Sequence, residues 1–163
     1  MKLRAYLDIE TTGFSRYYCD LTVIGIALEN GRKCQVIQLI ENNLSRKRLF
    51  KALKDVDELY SYNGSRFDLP FIETKLGVDL KQSFKHTDLM YDCWQQGLKG
   101  GLKVVEKLLG IQRRLTGVDG YMAVQLWYDY VNYNNRQALR MLLDYNKEDV
   151  VNLRVLRRKL GVK

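Results

Sequence analysis

The fold is decided by an alternating segment, Lys2-Leu3-Arg4-Ala5-Tyr6-Leu7-Asp8-Ile9-Glu10, at residues 2–10. Its odd-numbered residues are apolar and share one face, whereas its even-numbered residues, among them Asp8 and Glu10, share the other. A period of two residues is typical of a β-strand with one buried face. We therefore predict that residues 2–10 form the first strand of a sheet.

The segments that follow predict a mixed α/β order. Leu21–Leu28 is apolar and rich in β-branched residues, residues 29–32 are typical of a hairpin turn, and Cys34–Ile40 predicts a third, antiparallel strand. Helices are predicted at 44–54, 67–76, 102–109, 121–132 and 136–160, with strands at 58–62 and 85–90. This order predicts a sheet of about five strands flanked by helices, and it excludes an all-β sandwich and a helix bundle. It matches the order of the ribonuclease H-like fold.

Composition indicates a soluble, basic protein. The 163 residues carry 27 Lys and Arg against 19 Asp and Glu, a net charge of +8, which favours a polyanionic partner. No linker or repeat is evident, so we predict a single domain over residues 1–163.

Three cysteines without a CxxC pair argue against a disulfide framework or structural zinc and favour a reducing compartment. The longest run without charge, Gly120–Tyr128, is far shorter than the roughly 20 residues of a membrane span, and no signal peptide is expected. The prediction is a cytoplasmic protein with no membrane partner.

Carboxylates stand at unusual positions in three segments. Asp8 and Glu10 lie on one strand face, roughly 6.6 Å apart along the chain at about 3.3 Å per residue. A solvent-facing strand edge is the alternative interpretation. The sharp Thr11-Thr12-Gly13 turn that follows favours a site at the strand end.

The second carboxylate, Asp68, allows two interpretations. Ser65-x-x-Asp68 resembles a capping box at a helix N-terminus. Asp68 also shares a face with Phe71 and Ile72, so that it would point into the core.

The third carboxylate is on the last helix. Its apolar stripe, continued at helical spacing, passes through Asn146 and Asp149, and Tyr145 lies one turn before Asp149. A carboxylate that faces a core is unfavourable unless it is paired or bound to metal. The alternatives are therefore a metal ligand and a buried salt bridge to Arg or Lys.

Oxygen ligands without a His or Cys cluster suit Mg²⁺ or Mn²⁺. Several carboxylates that converge beside a polyanion predict a two-metal phosphodiester site, with ions about 3.5–4 Å apart.

Three motifs, in order, resemble the DEDD superfamily of 3′–5′ exonucleases. Residues 7–13 (Leu-Asp-Ile-Glu-Thr-Thr-Gly) resemble the first motif, and Asn63-Gly64-x-x-Phe67-Asp68 resembles the second, as in the exonuclease domains of family-B DNA polymerases and in small stand-alone RNase H-like relatives. Tyr145-x-x-x-Asp149 resembles the third motif in its tyrosine (DEDDy) version. The histidine version is excluded because position 144 is Asp144.

The resemblance implies roles for these residues. Asp8 would bridge two divalent ions, Mg²⁺ or Mn²⁺, with Glu10 and Asp149 on the first ion and Asp68 on the second. Tyr145 would orient or help to deprotonate the attacking water. Substrate-binding positions would be Thr11, Thr12, Gly13, Phe14, Asn63 and Phe67. Asp88 would support the site or its strand without being a ligand, and His86 is expected to be a surface histidine.

Three basic clusters are candidates for binding the strand, although each is also typical of a solvated helix face. They are Arg46, Lys47, Arg48, Lys51 and Lys54; Arg154, Arg157, Arg158 and Lys159; and Lys99, Lys103, Lys107, Arg113 and Arg114. Exposed members of a tyrosine-rich stretch over residues 121–133 are expected to stack on single-stranded bases.

We therefore predict a metal-dependent 3′–5′ exonuclease that releases nucleoside 5′-monophosphates from single-stranded DNA or RNA 3′ ends. The alternatives are a catalytically weak exonuclease-like domain that binds nucleic acid or a polymerase, and an RNase H-like endonuclease or integrase, against which the tyrosine-type third motif weighs. DNA or RNA preference, a repair or polymerase partner and the oligomeric state stay open.

Overall fold

The structure, a computed structural model, describes residues 2–163 and contains one five-stranded mixed sheet flanked by helices. Its strands are β1 Leu3–Thr11, β2 Leu21–Asn30, β3 Lys33–Ile40, β4 Glu58–Ser61 and β5 Lys85–Asp88. The helices are α1 Arg46–Ala52, α2 Asp68–Leu76, α3 Leu80–Ser83, α4 Leu89–Gln95, α5 Leu102–Leu108, α6 Gly120–Tyr133 and α7 Arg136–Lys159, with a 3₁₀ turn at Glu41–Asn43.

The sheet has the strand order β3-β2-β1-β4-β5. β1, β2 and β3 are antiparallel, whereas β4 and β5 run parallel to β1. The predicted α/β, RNase H-like fold is thereby confirmed. β1 is the central strand of the sheet and Glu10 on it is buried, so the interpretation of a solvent-facing edge is wrong.

Two apolar layers cover the sheet. Leu7 and Ile9 on one face of β1 pack with Leu49 of α1 and Phe71 of α2. On the opposite face, Tyr6 packs in a cluster with residues of α4, α5 and α7, namely Leu89, Cys93, Val105, Val150, Leu153 and Leu156. Because side chains alternate along a strand, Asp8 and Glu10 lie on the face covered by α7.

The end of α7 is held to β2 by an ion-pair network. Glu29 is buried and pairs with Arg154 at 2.9 Å, with Arg157 at 3.3 Å and with Arg158. These bonds and the one from Tyr6 lower the pKa of Glu29 to about 2, against the effect of burial. Three members of the second basic cluster therefore have a structural partner.

Two helices were not predicted. α3 is a single turn capped by the carboxylate of Asp79, and α4 begins at Leu89, inside the strand that was predicted at residues 85–90. Asp88 explains the second difference, because its carboxylate accepts the backbone N–H of Met90 at 3.1 Å and starts the helix there. Within residues 2–163, no helix is long and apolar enough to cross a membrane.

Candidate active site

Three of the predicted carboxylates meet where α7 crosses β1. Oxygens of Asp8, Glu10 and Asp149 all lie within 4.8 Å of one another, with Glu10 and Asp149 buried and Asp8 half-buried. Asp8 and Glu10 come from one strand face, and Asp149 comes from a helix that begins more than a hundred residues later. The crossing therefore converts sequence-distant acids into one cluster.

Asn146 fixes the position of Asp8. Its Nδ2 donates to Asp8 Oδ2 at 3.2 Å and to the Asp8 backbone carbonyl at 3.3 Å, and its Oδ1 accepts from Gln38 Nε2 at 3.0 Å. Gly25 stands opposite Asp8 in the β1–β2 register, and a Cβ there would lie 2.1 Å from Asn146 Oδ1. The missing side chain of Gly25 thus leaves the room that Asn146 occupies.

Asp68 lies at the start of α2, on the other side of β1. Its Oδ1 accepts the backbone N–H of Ile9 at 3.0 Å, and the carboxylate is buried. The residue at the N-cap is Phe67, which makes no side-chain capping bond, so the capping-box interpretation is wrong. Asp68 is outside the cluster of three oxygens but lines a cavity together with Asp8.

The four acids have raised pKa values. Burial is the largest cause for each, and the charge of Asp149 adds to it at Asp8 and Glu10. Burial raises the pKa of Asp68 to about 7 and that of Asp149 to about 6, although Arg113 and Lys103 act in the opposite direction at Asp149. The folded protein is therefore under electrostatic strain when these acids ionise without a cation.

This strain predicts a pH-dependent stability in the absence of metal. The folded chain keeps protons on these acids at a pH where the unfolded chain, with Asp pKa values near 3.9, has released them, so stability falls as pH rises from about 4 to about 7. In EDTA, from about pH 5 to about pH 7.5, wild type should lose on the order of 2 kcal/mol more than Asp68→Asn. Urea melts at each pH measure this difference.

Asp144→Asn is the matched control, because Asp144 is exposed on α7. Burial lowers the pKa of His86, which gives the opposite slope in this pH range, but that contribution cancels between wild type and variant. If the free energy of unfolding changed with pH equally in wild type and Asp68→Asn, the pKa of Asp68 would not be raised by folding, and the prediction would be wrong.

A divalent cation fits the cluster. Glu10 Oε1 is buried and has no hydrogen-bond partner among the described residues, which is rare for a carboxylate oxygen. The ligand atoms at hand are carboxylate oxygens, which Mg²⁺ and Mn²⁺ prefer. Asp8, Glu10 and Asp149 are thus the residues that could hold an ion.

Two cations that sequence reasoning did not assign to the site stand beside the acids. Arg113 pairs with Glu106 at 2.9 Å and also with Asp149, and its side chain is nearly buried. Lys103 donates to the Tyr145 hydroxyl and lies 4.4 Å from the centroid of that ring. Asp149 therefore belongs both to the acid cluster and to a buried salt bridge, the two alternatives that the sequence left open.

Tyr145 is buried beside Asp149, as the one-turn spacing predicted. Burial raises the pKa of Tyr145, and the charges of Asp149, Glu10 and Asp8 raise it further. Without a cation at the cluster the side chain is a neutral phenol at physiological pH. Because its oxygen accepts a hydrogen bond from Lys103, its own proton is free to donate.

A groove runs past the acids and consists of two adjoining cavities. One, of about 680 Å³, is lined by Asp8, Glu10, Thr11, Thr12, Gly13, Phe14, Phe67, Tyr121, Tyr145 and Asp149. The other, of about 430 Å³, is lined by Asp8, Tyr62, Asn63, Phe67, Asp68, Met90 and Gly100–Leu102. All six predicted substrate-binding residues therefore lie along this groove. Phe14 is 94% exposed and meets Phe67 edge to face at 6.4 Å.

Asp88 holds the loop on which Asn63 lies. Its carboxylate accepts the backbone N–H of Asn63 at 2.8 Å and that of Ser65 at 3.0 Å. Asn63 has a left-handed backbone with φ of 58°, so its peptide needs such support. Asp88 supports the loop and is not among the clustered acids, whereas His86 is half-buried, with Nε2 2.8 Å from Ser61 Oγ.

The basic clusters differ in their relation to the groove. The first cluster lies on and just after α1, which packs against the sheet face opposite the acids. The third cluster, which includes Lys103 and Arg113, flanks the acids directly. In the tyrosine-rich stretch, Tyr121 lines the groove and Tyr133 is exposed, whereas Trp127 packs against a small core cluster.

The fold and this arrangement of acids are those of an RNase H-like α/β domain. A family model described as the RNase_H superfamily matches residues 5–161, so the chain belongs to that superfamily. It is 30% identical over 122 residues to YprB of Bacillus subtilis (strain 168), described as an uncharacterized protein. The match covers 69% of this chain and 29% of YprB, so the chain spans less than a third of that relative.

Solved structures of nucleases share the fold. NrnC of Brucella melitensis bound to pGG superposes with a TM-score of 0.60 at 21% identity, covering 97% of this chain and 71% of that chain. Exonuclease I from Methylocaldum szegediense gives a TM-score of 0.50 at 10% identity, covering 86% of this chain and 42% of that chain. At these identities the likeness shows the fold.

Proposed function

We propose that this chain is a metal-dependent 3′–5′ exonuclease of the DEDDy type that removes nucleoside 5′-monophosphates from single-stranded DNA or RNA. The observation that carries the proposal is the convergence of Asp8, Glu10 and Asp149 within 4.8 Å, beside the buried Tyr145 and an open groove. A nucleic-acid substrate is also supported by the net charge of +8 and by the pGG that NrnC, a protein of the same fold, binds.

In this proposal different sets of acids bind two divalent ions. Asp8, Glu10 and Asp149 would hold one divalent ion, and Asp8 and Asp68, which line the same cavity, would hold a second. Bound there, Mg²⁺ or Mn²⁺ lowers the pKa of water and stabilises negative charge on phosphate oxygens. Asn146 keeps the Asp8 carboxylate oriented, and the Ile9 N–H does the same for Asp68.

Tyr145 would position the attacking water. Its hydroxyl is one helical turn from Asp149, and the proton that it does not give to Lys103 can be donated toward the groove. Thr11, Thr12 and Gly13 would approach the terminal nucleotide, Phe14 would pack on its base, and Phe67, which meets Phe14 edge to face, would shape the pocket. Asn63 would contact the adjoining nucleotide from the second cavity.

One gel tests the reaction. We expect 3′-labelled oligonucleotides to lose their label as mononucleotide at the earliest times, and 5′-labelled ones to shorten as a ladder, with Mn²⁺ or Mg²⁺ and not with EDTA. Internal fragments from both labels would support the endonuclease alternative instead.

A second candidate function is a catalytically weak domain that binds nucleic acid or a polymerase. The observation that favours it is the ion pair between the Arg113 guanidinium and Asp149, because it satisfies the charge of one of the three clustered acids. Binding of labelled oligonucleotide without turnover, at any Mn²⁺ concentration, would select this function.

Binding should depend on salt through the third basic cluster. For single strands, log K falls with log salt by about 0.7 for each phosphate that is contacted. Measured on Asp8→Asn to prevent turnover, Lys99→Ala with Lys107→Ala should flatten this slope. Both lysines are exposed, and Lys99 directly precedes Gly100, which lines the second cavity. Lys107 lies one turn after Lys103 on α5. Fluorescence anisotropy of a labelled oligonucleotide at several salt concentrations measures the slope.

The matched control is Lys47→Ala with Lys51→Ala on α1, which packs on the opposite sheet face. If the control variant flattened the salt dependence equally, the strand would be attracted by the overall positive charge and not by contacts with the third basic cluster.

We further propose that residues 1–163 act as one domain in the cytoplasm, without a membrane partner.

A further inference from the structure

An aromatic cluster capped by an arginine lies at one end of the groove. The Tyr91 and Trp94 rings are edge to face, with centroids 5.3 Å apart, and the Arg66 guanidinium lies 5.9 Å from the first centroid and 5.6 Å from the second. Tyr91 and Trp94 are three residues apart on α4 and so share a helix face. We refer to these three residues as the Arg66 platform.

The platform lies next to the second cavity of the groove. Arg66 directly precedes Phe67, and Tyr91 directly follows Met90, and both neighbours line the cavity that contains Asp8 and Asp68. The loop that carries Arg66 is held in place, because Asp88 accepts two of its backbone N–H groups and Lys81 donates to the Ser65 carbonyl at 3.0 Å. These bonds hold the backbone beside Arg66 to Asp88, which caps the helix that carries Tyr91 and Trp94.

Its chemistry suits a nucleotide. Tyr91 and Trp94 remain 37% and 40% exposed, so apolar ring surface faces solvent beside the groove. Arg66 forms no ion pair with any residue in the range 2–163, which leaves its planar guanidinium available to a phosphate. Aromatic rings that stack bases, combined with a cation for the backbone, are the features with which proteins bind single strands.

We propose that the Arg66 platform binds nucleotides upstream of the terminal one, so that the substrate class is single strands longer than a dinucleotide. This inference rests on the proposed exonuclease function and deepens it. In this proposal a dinucleotide with its scissile phosphate at Asp8 would occupy the two cavities, whose linings include Asp8 but not Trp94. An octamer adds base stacking on the rings and a phosphate contact with Arg66.

The test compares kcat/KM for an octamer and a dinucleotide, in deoxy and ribo forms, with Mn²⁺ or Mg²⁺. Stacking of one base changes affinity roughly 5-fold to 150-fold. In Trp94→Ala the ratio of octamer to dinucleotide kcat/KM should fall by that factor. In Arg66→Ala the same ratio should fall several-fold, and because Arg66 is exposed this substitution is not expected to disturb folding. Met141→Ala, at an exposed apolar side chain of α7 that lines neither cavity of the groove, is the control. An unchanged ratio in both platform variants would overturn the inference.

A second readout does not depend on turnover. The sequence has two tryptophans, so Trp127→Phe leaves Trp94 as the sole tryptophan. In Asp8→Asn with EDTA, an octamer should quench Trp94 emission, and adding Arg66→Ala should raise the octamer concentration that is required. Absence of quenching at saturating octamer, with binding shown by anisotropy, would overturn the inference. Quenching without hydrolysis by the wild type would instead retain the platform and reject the nuclease function.

Discussion

Asp8→Asn is expected to lower the rate of 3′-end hydrolysis by about 10³-fold or more, because bound divalent ions stabilise the negative charge of the transition state by several kcal/mol. Asp8 belongs to the acid cluster and lines both cavities of the groove, so no neighbouring acid can replace it. Asparagine has the same shape, and its carbonyl oxygen can still accept the bond from Asn146. Release of mononucleotides from a labelled oligonucleotide measures the effect.

The same variant should lose stabilisation by metal. In wild type, Mn²⁺ at about 100 times its Kd would add about 2.7 kcal/mol to the free energy of unfolding. Asp8→Asn should show little of this gain, yet be at least as stable as wild type in EDTA, because one buried charge is removed. Asp144→Asn, on an exposed position of α7, should behave as wild type. Equal Mn²⁺ binding by Asp8→Asn and wild type in calorimetry would contradict the assignment of the site.

Tyr145→Phe is expected to lower kcat by about 10²- to 10⁴-fold, the usual contribution of a group that positions or accepts a proton. The ring and its packing are retained, so KM, Mn²⁺ binding and stability should change little. Asp149→Asn should have the larger effect because it alters a ligand of the cluster. Single-turnover rates at saturating Mn²⁺, beside urea melts, separate the two variants.

Two results would reassign Tyr145. Wild-type turnover in Tyr145→Phe, together with an inactive Asp149→Asn, would make Tyr145 a core side chain. A loss of more than about 1–2 kcal/mol in stability would make its hydroxyl a structural partner of Lys103 instead.

The side-chain positions that agree with the prediction were read from periodic patterns. Alternation over residues 2–10 placed Asp8 and Glu10 on one face, and helical spacing placed Tyr145, Asn146 and Asp149 toward the sheet. Periodicity reports which face of an element is buried, and that was sufficient to bring the acids together. It was also sufficient for the five strands, apart from one or two residues at their ends.

The residues that were missed depend on contacts between distant segments. Arg113 lies in a loop without periodicity, and only the folded chain shows that it pairs with Glu106 and Asp149. The capping of α4 by Asp88 is a local signal, but the strand pattern that overlaps it obscured it. Composition could not distinguish the basic cluster on α1 from the one beside the acids, because the two have similar charge and lie on opposite sides of the sheet.

Gly25 has a consequence for the order in which the chain assembles. β1, β2 and β3 are neighbours in sequence and pair through hairpins. The amide of Asn146, by contrast, fills the space above Gly25 and contacts Asp8, which is 138 residues earlier in the chain. Such a contact closes a long loop and belongs to the late, slow part of folding. Before α7 crosses the sheet, Asp149 is far from Asp8 and Glu10, so the three acids offer a cation no shared site. A divalent ion should then slow unfolding and leave the early hairpin steps of refolding unchanged.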